Sequence, residues 1–481
     1  MIGTASTPAT ATADISARVE RARAAFQLGT TKPLSWRRAQ LTRLRQMIVE
    51  NADALKEALF ADLHKSATDA QLTELGPIEG EIAHALKHLG RWSRPKRLSL
   101  PAVLLPASAK LVPEPLGTVL VIAPWNYPVQ LLLVPAVGAL AAGNAVVLKP
   151  SEVAPHVSAL LGRLVPAYLD SEAVQIVEGG VDETTTLLAE RFDHIVYTGN
   201  AQVARIVMRA AAEHLTPVTL ELGGKSPTWV DDDANLARAA RRIVWAKYLN
   251  SGQTCTAPDY ILTTPNRVEA LSAALKVEIA RMWGDAATSP DFGRIINERQ
   301  FDRLASYLGQ GEVAVGGGSD REQRFIEPTV LVLPQPTDVS APRTGDSVPA
   351  VLAEEIFGPI LPIVPVADYR AAIDYINAGE KPLALYVYSA DSAVRDAFVR
   401  DTSSGSVVFN AGVIQSGSPA LPFGGIGESG MGAYHGRFSW AAFTHAKPVL
   451  NKPLRPDTLE LLQPPFTARG RKLVDTISRM S

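Results

Sequence analysis

Cysteine is almost absent from this chain: Cys255 is the only one in 481 residues. A single thiol closes no intramolecular disulfide and starts no zinc or iron–sulfur site, each of which needs several soft ligands. An excess of charge of either sign is also missing. Lys and Arg total 47 against 49 Asp and Glu, a formal net charge of −2, so there is no basic field for nucleic acid and no acidic tail. Histidine is sparse, and the one pair at metal-ligand spacing, His84 and His88, lacks a third ligand in register; it reads as a helix face, and no metal is expected. Long unbroken hydrophobic runs are missing too. The most apolar stretch, 119–148, is interrupted by Pro124, Asn126, Pro128, Pro135, Gly138, Gly143 and Asn144, which suits strand, loop and helix in a buried core and argues against a membrane span. Residues 1–14 have neither the basic nor the apolar segment of a signal peptide and read as a frayed leader. With the lone thiol, they point to a cytoplasmic location.

What is present is an alternation of short apolar runs and helical patterns, too long for one core. Residues 15–92 read as helices, including 41–60 and an amphipathic stretch ending at Trp92. The proline-punctuated segment 99–113 reads as an extended hairpin. From Gly117 onward βα units follow: strands at 118–122, 145–148, 174–177, 193–197 and 217–221, with helices at 129–142, 156–169, 182–191 and 201–213. Apolar strands alternating with helices predict an α/β fold whose parallel, Rossmann-like sheet binds a nucleotide at the carboxyl ends of its strands. A second α/β set runs to about 409, with helices near 234–248 and 267–282 and strands near 383–388 and 406–409. The expected division is a dinucleotide-binding domain over 1–93 and 116–226, a catalytic domain over 227–408, a bridging β-hairpin element over 94–115 and 409–460, and a tail over 461–481 carrying Arg469, Arg471, Lys472 and Arg479.

Two glycine-rich strings need weighing. Gly425-Ile426-Gly427-Glu428-Ser429-Gly430 matches G-x-G-x-x-G, but no strand leads into it, and it reads as a loop. Gly224-Lys225-Ser226 resembles the end of a P-loop, but Thr219 stands where the first glycine belongs. Tyr197-Thr198-Gly199-Asn200 leaves a strand and opens a helix, so its backbone amides suit a pyrophosphate.

Seven loop motifs then fall in one order along most of the chain: Ala123-Pro124-Trp125-Asn126-Tyr127-Pro128, Leu148-Lys149-Pro150-Ser151-Glu152, Tyr197-Thr198-Gly199-Asn200, Leu220-Glu221-Leu222-Gly223-Gly224-Lys225-Ser226-Pro227, Gly252-Gln253-Thr254-Cys255, Glu354-Glu355-Ile356-Phe357-Gly358-Pro359 and Pro422-Phe423-Gly424-Gly425. Together they resemble the motifs of aldehyde dehydrogenases. The short part before Pro124 and the stretch Leu215-Thr216-Pro217-Val218-Thr219-Leu220 resemble the class 3 branch, which includes fatty and aromatic aldehyde oxidisers.

The residue types suit that chemistry. An aldehyde yields a hydride only after a nucleophile has made its carbon tetrahedral, and a thiolate is suited to that step. Cys255 is the candidate nucleophile, Asn126 and the Cys255 amide the candidate oxyanion donors, and Glu221 the candidate base that activates water against the resulting thioester. The resemblance implies a cofactor site at Trp125, Lys149, Glu152, Gly199, Asn200, Leu222, Gly223, Glu355 and Phe357, with Lys149 and Glu152 on the adenine ribose. A carboxylate at Glu152 favours NAD, with NADP still open. Ala204 departs from the branch, which commonly has Gly there. Tyr127, Trp245, Leu249, Thr254 and Ile414 are candidate pocket residues, and their apolar character favours a medium- or long-chain aliphatic or an aromatic aldehyde. The resemblance also implies that the bridging hairpin pairs with a second subunit, so a homodimer is expected. Two other readings stay open at this point, a cysteine-dependent esterase or thioesterase and a catalytically silent dinucleotide-binding protein on the same fold.

Overall fold

The computed structural model describes residues 10, 12–101, 104–342 and 348–480. Most of the expected leader, the Ala102 and Val103 pair of the expected hairpin and the side chain of Arg479 lie outside the described residues.

The all-apolar runs become buried strands. Thr118–Ile122 and Ala145–Lys149 are buried at every position, as strands covered by helices on both faces must be. With their neighbours they form a six-stranded sheet in the order Gly430–Met431, Val218–Leu222, His194–Gly199, Thr118–Ile122, Ala145–Lys149, Val174–Ile176, parallel except at the first strand. A seven-stranded sheet runs Glu312–Val315, Thr329–Val332, Ile360–Pro365, Tyr260–Thr263, Pro227–Val230, Ala384–Tyr388, Ser406–Phe409, again parallel except at its first strand. The third sheet is small and antiparallel: Lys96–Leu98, Ser108–Pro115 and Thr444–Asn451, the last two in register over eight residues from Thr444 opposite Pro115 to Asn451 opposite Ser108. The strand over 409–460 thus pairs with the hairpin, while Gly430–Met431 from the same segment returns to the first sheet.

Helix Gln130–Ala142 is buried along its whole length and packs between that first sheet and the N-terminal helices. Gly138 lets the helix Gly436–Ala442 approach it, since a Cβ there would stand 2.4 Å from the Cβ of Ser439.

Some boundaries differ from the sequence reading for local reasons. The helix expected over 41–60 is two helices, Leu34–Glu50 and Ala52–Leu63, because Asn51 leaves helical backbone angles, at φ −112° and ψ 19°, where its side chain at 2.9 Å joins its own backbone amide at 3.2 Å in donating to Met47 O. The helical run to Trp92 contains a π-helical turn, Gln71–Leu75, before Gly76–Trp92. The hairpin's first strand is earlier than expected, at Lys96–Leu98. The strand expected over 193–197 runs to Gly199, so this glycine ends the strand.

Candidate active site

The candidate nucleophile, Cys255, sits on a strained loop. After helix Leu236–Tyr248, three successive residues take left-handed backbone angles: Asn250 at φ 51°, Ser251 at φ 54° and Gly252 at φ 76°. Such a run is costly for residues with a Cβ and needs outside support. Gly252 has a second constraint, since a Cβ would come 2.3 Å from Gly358 O. The support comes from Gln253, which is fully buried. Its Nε2 donates to Asn250 O at 3.1 Å and to Arg294 O at 3.0 Å, and its Oε1 accepts from Ile296 N at 3.0 Å. Cys255 is held at the end of this loop, partly open to solvent. Burial, then the Glu355 and Glu221 carboxylates, push its thiol up to about 12, opposed by the backbone amides of Cys255 and Thr256.

Asn126 comes from the loop after strand Thr118–Ile122 and clasps the nucleophile loop. Its Nδ2 donates to Gln253 O at 3.1 Å, and its own backbone oxygen accepts from Asn250 Nδ2 at 2.9 Å. An amide nitrogen carries two hydrogens, so one remains for another acceptor. Oδ1 is buried without a partner. Beside it, Tyr127 Oη and Thr254 Oγ1 are 2.6 Å apart.

Glu221 lies one residue from the end of strand Val218–Leu222, opposite Gly430. It is buried, and neither carboxylate oxygen has a hydrogen-bond partner. That burial holds its carboxyl well above the usual range. Tyr434 is a second buried group with an unpartnered hydroxyl, and its phenol is pushed up by burial and then by Glu221 and Cys255. The string Gly425–Gly430 serves this corner by backbone packing. A Cβ at Gly430 would stand 2.2 Å from Leu220 O and one at Gly425 would stand 2.0 Å from Ser429 O.

The candidate cofactor residues gather at two places. Phe357, at φ 51°, packs edge-on against Trp125 with ring centres 5.3 Å apart. Glu355 lies over Gly223, where a Cβ would be 2.0 Å from Glu355 Oε2, so this cradle exists only because residue 223 has no side chain. Burial, then Asp259, raises the Glu355 carboxyl to about 8, while the Gly224 amide, Lys225 and Arg303 oppose the shift. Leu222 is buried and donates its amide to Ser429 O at 3.1 Å.

At the neighbouring strand end, Lys149 is buried, donates to Pro150 O at 2.8 Å and lies 3.4 Å from the half-exposed Glu152 carboxylate. Gly199 ends its strand, and a Cβ there would overlap Tyr197 Oη at 2.2 Å. The Asn200 side chain caps helix Ala201–Glu213 by accepting from Val203 N at 2.9 Å. Ala204 points into the core under that helix. Lys225, the P-loop look-alike, instead ties Asp259 at 3.0 Å, Val351 O at 2.9 Å and Glu354 O at 2.8 Å together.

Of the candidate pocket residues, the structure joins Tyr127 to Thr254 and buries Leu249. Trp245 is half-buried, whereas Ile414 is 59% exposed on the turn Ile414–Gly417. His88 stacks with Trp92 at 5.7 Å between ring centres, and His84 is tilted against both, 4.5 Å from His88 and 5.6 Å from Trp92. Among the described residues no group of three His, Cys, Asp or Glu could hold a metal.

Sequence reasoning missed Tyr434 and, behind Asn126, a buried pair from the N-terminal helices: Lys65 Nζ and Glu74 Oε1 at 2.9 Å, both fully shielded from solvent. Gly76-Pro77 inside a helical pattern was the signal for a break in the ladder there.

With this geometry in view, comparison with known proteins gives a consistent result. The model of the family described as "Aldehyde dehydrogenase family" matches residues 3–449. The human protein named "Aldehyde dehydrogenase family 3 member B1" is 46% identical over 458 residues, 95% of this chain and 96% of its own length. The dog "Aldehyde dehydrogenase, dimeric NADP-preferring" is 45% identical over 95% of this chain and 98% of its own. A solved structure described as the substrate-bound state of Staphylococcus aureus AldH superposes with a TM-score of 0.91 at 38% identity, covering 96% of this chain and 99% of the other.

Proposed function

The chain belongs to the aldehyde dehydrogenase family, whose reaction is the NAD(P)-dependent oxidation of an aldehyde to its carboxylic acid, and from that premise we propose that Cys255, Asn126 and Glu221 carry the reaction here. The observation that carries this reading is their convergence. One loop holds the thiol and binds Asn126, and a buried carboxylate with no partner of its own lies close enough to raise the thiol's pKa.

In the proposed sequence, Cys255 Sγ gives its proton to water and forms a bond to the aldehyde carbon, whose carbonyl electrons move onto oxygen. The free N–H of Asn126 Nδ2 and the amide of Cys255 hold that oxyanion. The oxyanion then re-forms the carbonyl as the C–H bond breaks, leaving an acyl group on Cys255; a bound nicotinamide dinucleotide would supply the acceptor for the departing hydride. Glu221 then takes a proton from water as the water oxygen bonds to the acyl carbon on Cys255, and the C–S bond breaks to release the acid. Burial, by raising the Glu221 pKa, increases the proton affinity of the carboxylate, as a general base requires.

The residues present fit that dinucleotide. Glu355 and Phe357 stand over Gly223 and against Trp125, Lys149 and Glu152 flank a strand end, and amides at Gly199 and Asn200 open a helix N-terminus. NAD with NADP as an alternative is the assignment that these groups support. The side chain of Asn200 is engaged as a cap, so its contribution to binding is by backbone.

Apolar and aromatic groups beside the thiol support a medium- or long-chain aliphatic or an aromatic aldehyde as substrate. The small antiparallel sheet, half-buried along Ser108–Pro115 and largely exposed along Thr444–Asn451, supports a homodimer. Among the described residues no helix is long and apolar enough to cross a membrane, and a cytoplasmic location remains the reading of the lone thiol.

The test is formation of reduced nicotinamide from hexanal and benzaldehyde with NAD and, in parallel, NADP, in wild type and Cys255→Ala. Wild-type turnover abolished in the variant is the expected result. Full turnover in Cys255→Ala overturns the nucleophile. A strong preference for succinic semialdehyde over both aldehydes overturns the substrate class.

A further inference from the structure

The loop bearing Asn126 is held from an unexpected side. Lys65 and Glu74 belong to the N-terminal helical layer, and both side chains are completely shielded from solvent at an Nζ–Oε1 distance of 2.9 Å. A fully buried ion pair is a poor source of net stability, because desolvation of both charges offsets their attraction. Its other contacts show what it fixes. Lys65 Nζ donates to Asn126 O at 3.3 Å and lies 4.1 Å from the centre of the Tyr127 ring. Glu74 Oε2 accepts from the amides of Val129 at 3.1 Å and Gln130 at 2.8 Å, at the start of helix Gln130–Ala142. One pair thus grips four of the five residues from 126 to 130. Glu74 stands on the π-helical turn Gln71–Leu75, whose wide spacing brings Gln71 O so close to residue 76 that a Cβ there would be 2.8 Å away.

We propose that Lys65 and Glu74 are positioning residues for the oxyanion site: the pair fixes the Asn126 peptide, and so aims the Asn126 side-chain amide at the carbonyl oxygen of an aldehyde on Cys255. This rests on the reading that Asn126 is an oxyanion donor.

The test is a double-mutant cycle. Lys65→Met with Glu74→Leu removes both charges and leaves neither stranded in the core. In the wild-type background it lowers kcat by about 10- to 100-fold, as small misplacements of a catalytic group do, while the KM for NAD stays close to wild type and the melting temperature falls, since the Val129 and Gln130 amides lose their acceptor. In an Asn126→Ala background the same pair of substitutions changes kcat less than about twofold, because the group being positioned is gone. Equal losses in both backgrounds, or no loss in the wild-type background, overturn the proposal while leaving the Asn126 assignment intact. Wild-type kcat in Asn126→Ala alone overturns that assignment and this proposal with it. If the doubly substituted protein does not fold, Glu74→Gln, which keeps the shape and removes the charge, runs through the same cycle with the same criteria.

Discussion

The Cys255 side of the active site and the Glu221 side differ in how far their polar side chains are tied down. Around the thiol the donors are engaged: every side-chain polar atom of Gln253 is bonded, the Asn126 and Asn250 amides donate across the loop, and Thr254 is tied to Tyr127, while Asn126 Oδ1, Asn250 Oδ1 and Ser251 Oγ stay buried without partners. Around Glu221 the polar groups are open, with both carboxylate oxygens and the Tyr434 hydroxyl buried and unbonded. Leaving such groups unpartnered costs free energy, of order 1–3 kcal/mol for each donor or acceptor and more for a charge. The first side spends its hydrogen bonds on holding a left-handed backbone, as an attacking atom needs a fixed position. In the proposed mechanism the second keeps the Glu221 carboxylate free for a water molecule. On that reading, rigidity serves attack on the aldehyde and openness serves hydrolysis of its acyl derivative.

The sharpest way to break that contrast is to neutralise the open side. Glu221→Gln keeps the shape and removes the base, so kcat falls by about 100- to 10,000-fold, the range of general-base catalysis. The acyl group then accumulates on Cys255, visible as an added mass on the intact protein after one turnover. Wild-type turnover without accumulation means that the unpartnered carboxylate is not the base, and the contrast loses its functional meaning.

Next in size is the Asn126 donor on the Cys255 side. Asn126→Ala removes the amide that binds Gln253 O and leaves the oxyanion with the Cys255 amide alone. A loss of about 100- to 1000-fold in kcat is expected, with the affinity for dinucleotide measured by fluorescence unchanged. A loss confined to dinucleotide affinity contradicts the assignment.

The occupied side is tested through its backbone. Gly252→Ala puts a Cβ at φ 76° and 2.3 Å from Gly358 O. Strain of this kind costs about 1–3 kcal/mol before the clash is counted, so the melting temperature drops and activity falls with it. A variant as stable and active as wild type indicates that the loop has room to relax and that its stiffness is not needed.

Much of the fold was legible because parallel strands buried on both faces leave unbroken apolar runs, as at 118–122 and 145–148, and helices announce themselves by period. Boundaries failed where one side chain or one extra backbone residue acts locally, at Asn51 and at the Gln71–Leu75 turn. In the site, the residues named from the ordered motifs are found together at Cys255, Asn126, Thr254 and Tyr127 because they share two loops. Lys65, Glu74 and Tyr434 were not legible. The places they take depend on contacts between segments from 55 to more than 200 residues apart, and no local pattern distinguishes them from surface charges or a core tyrosine. Ile414 shows the opposite failure. Proximity to a motif suggested a pocket wall, and the structure leaves it 59% exposed.

The smallest expected effect concerns how the two sides are coupled through charge. Glu355 is the largest charge influence on the Cys255 thiol after burial, and its own carboxyl is raised to about 8. An anion beside a thiol disfavours the thiolate and raises its pKa. Below about pH 8 Glu355 is mostly neutral and exerts little of this effect; as pH rises through its pKa the effect switches on. Removing it by Glu355→Gln therefore lowers the thiol pKa only in the alkaline range. In protein without dinucleotide, iodoacetamide alkylation of Cys255 follows the thiolate fraction. The variant reacts within about twofold of wild type at pH 7 and up to about tenfold faster at pH 10, tenfold corresponding to one pKa unit. Equal rates at both values mean that Glu355 does not reach the thiol. A uniform acceleration across the range means that Glu355 is ionised throughout, and the raised carboxyl is then wrong while the coupling stands.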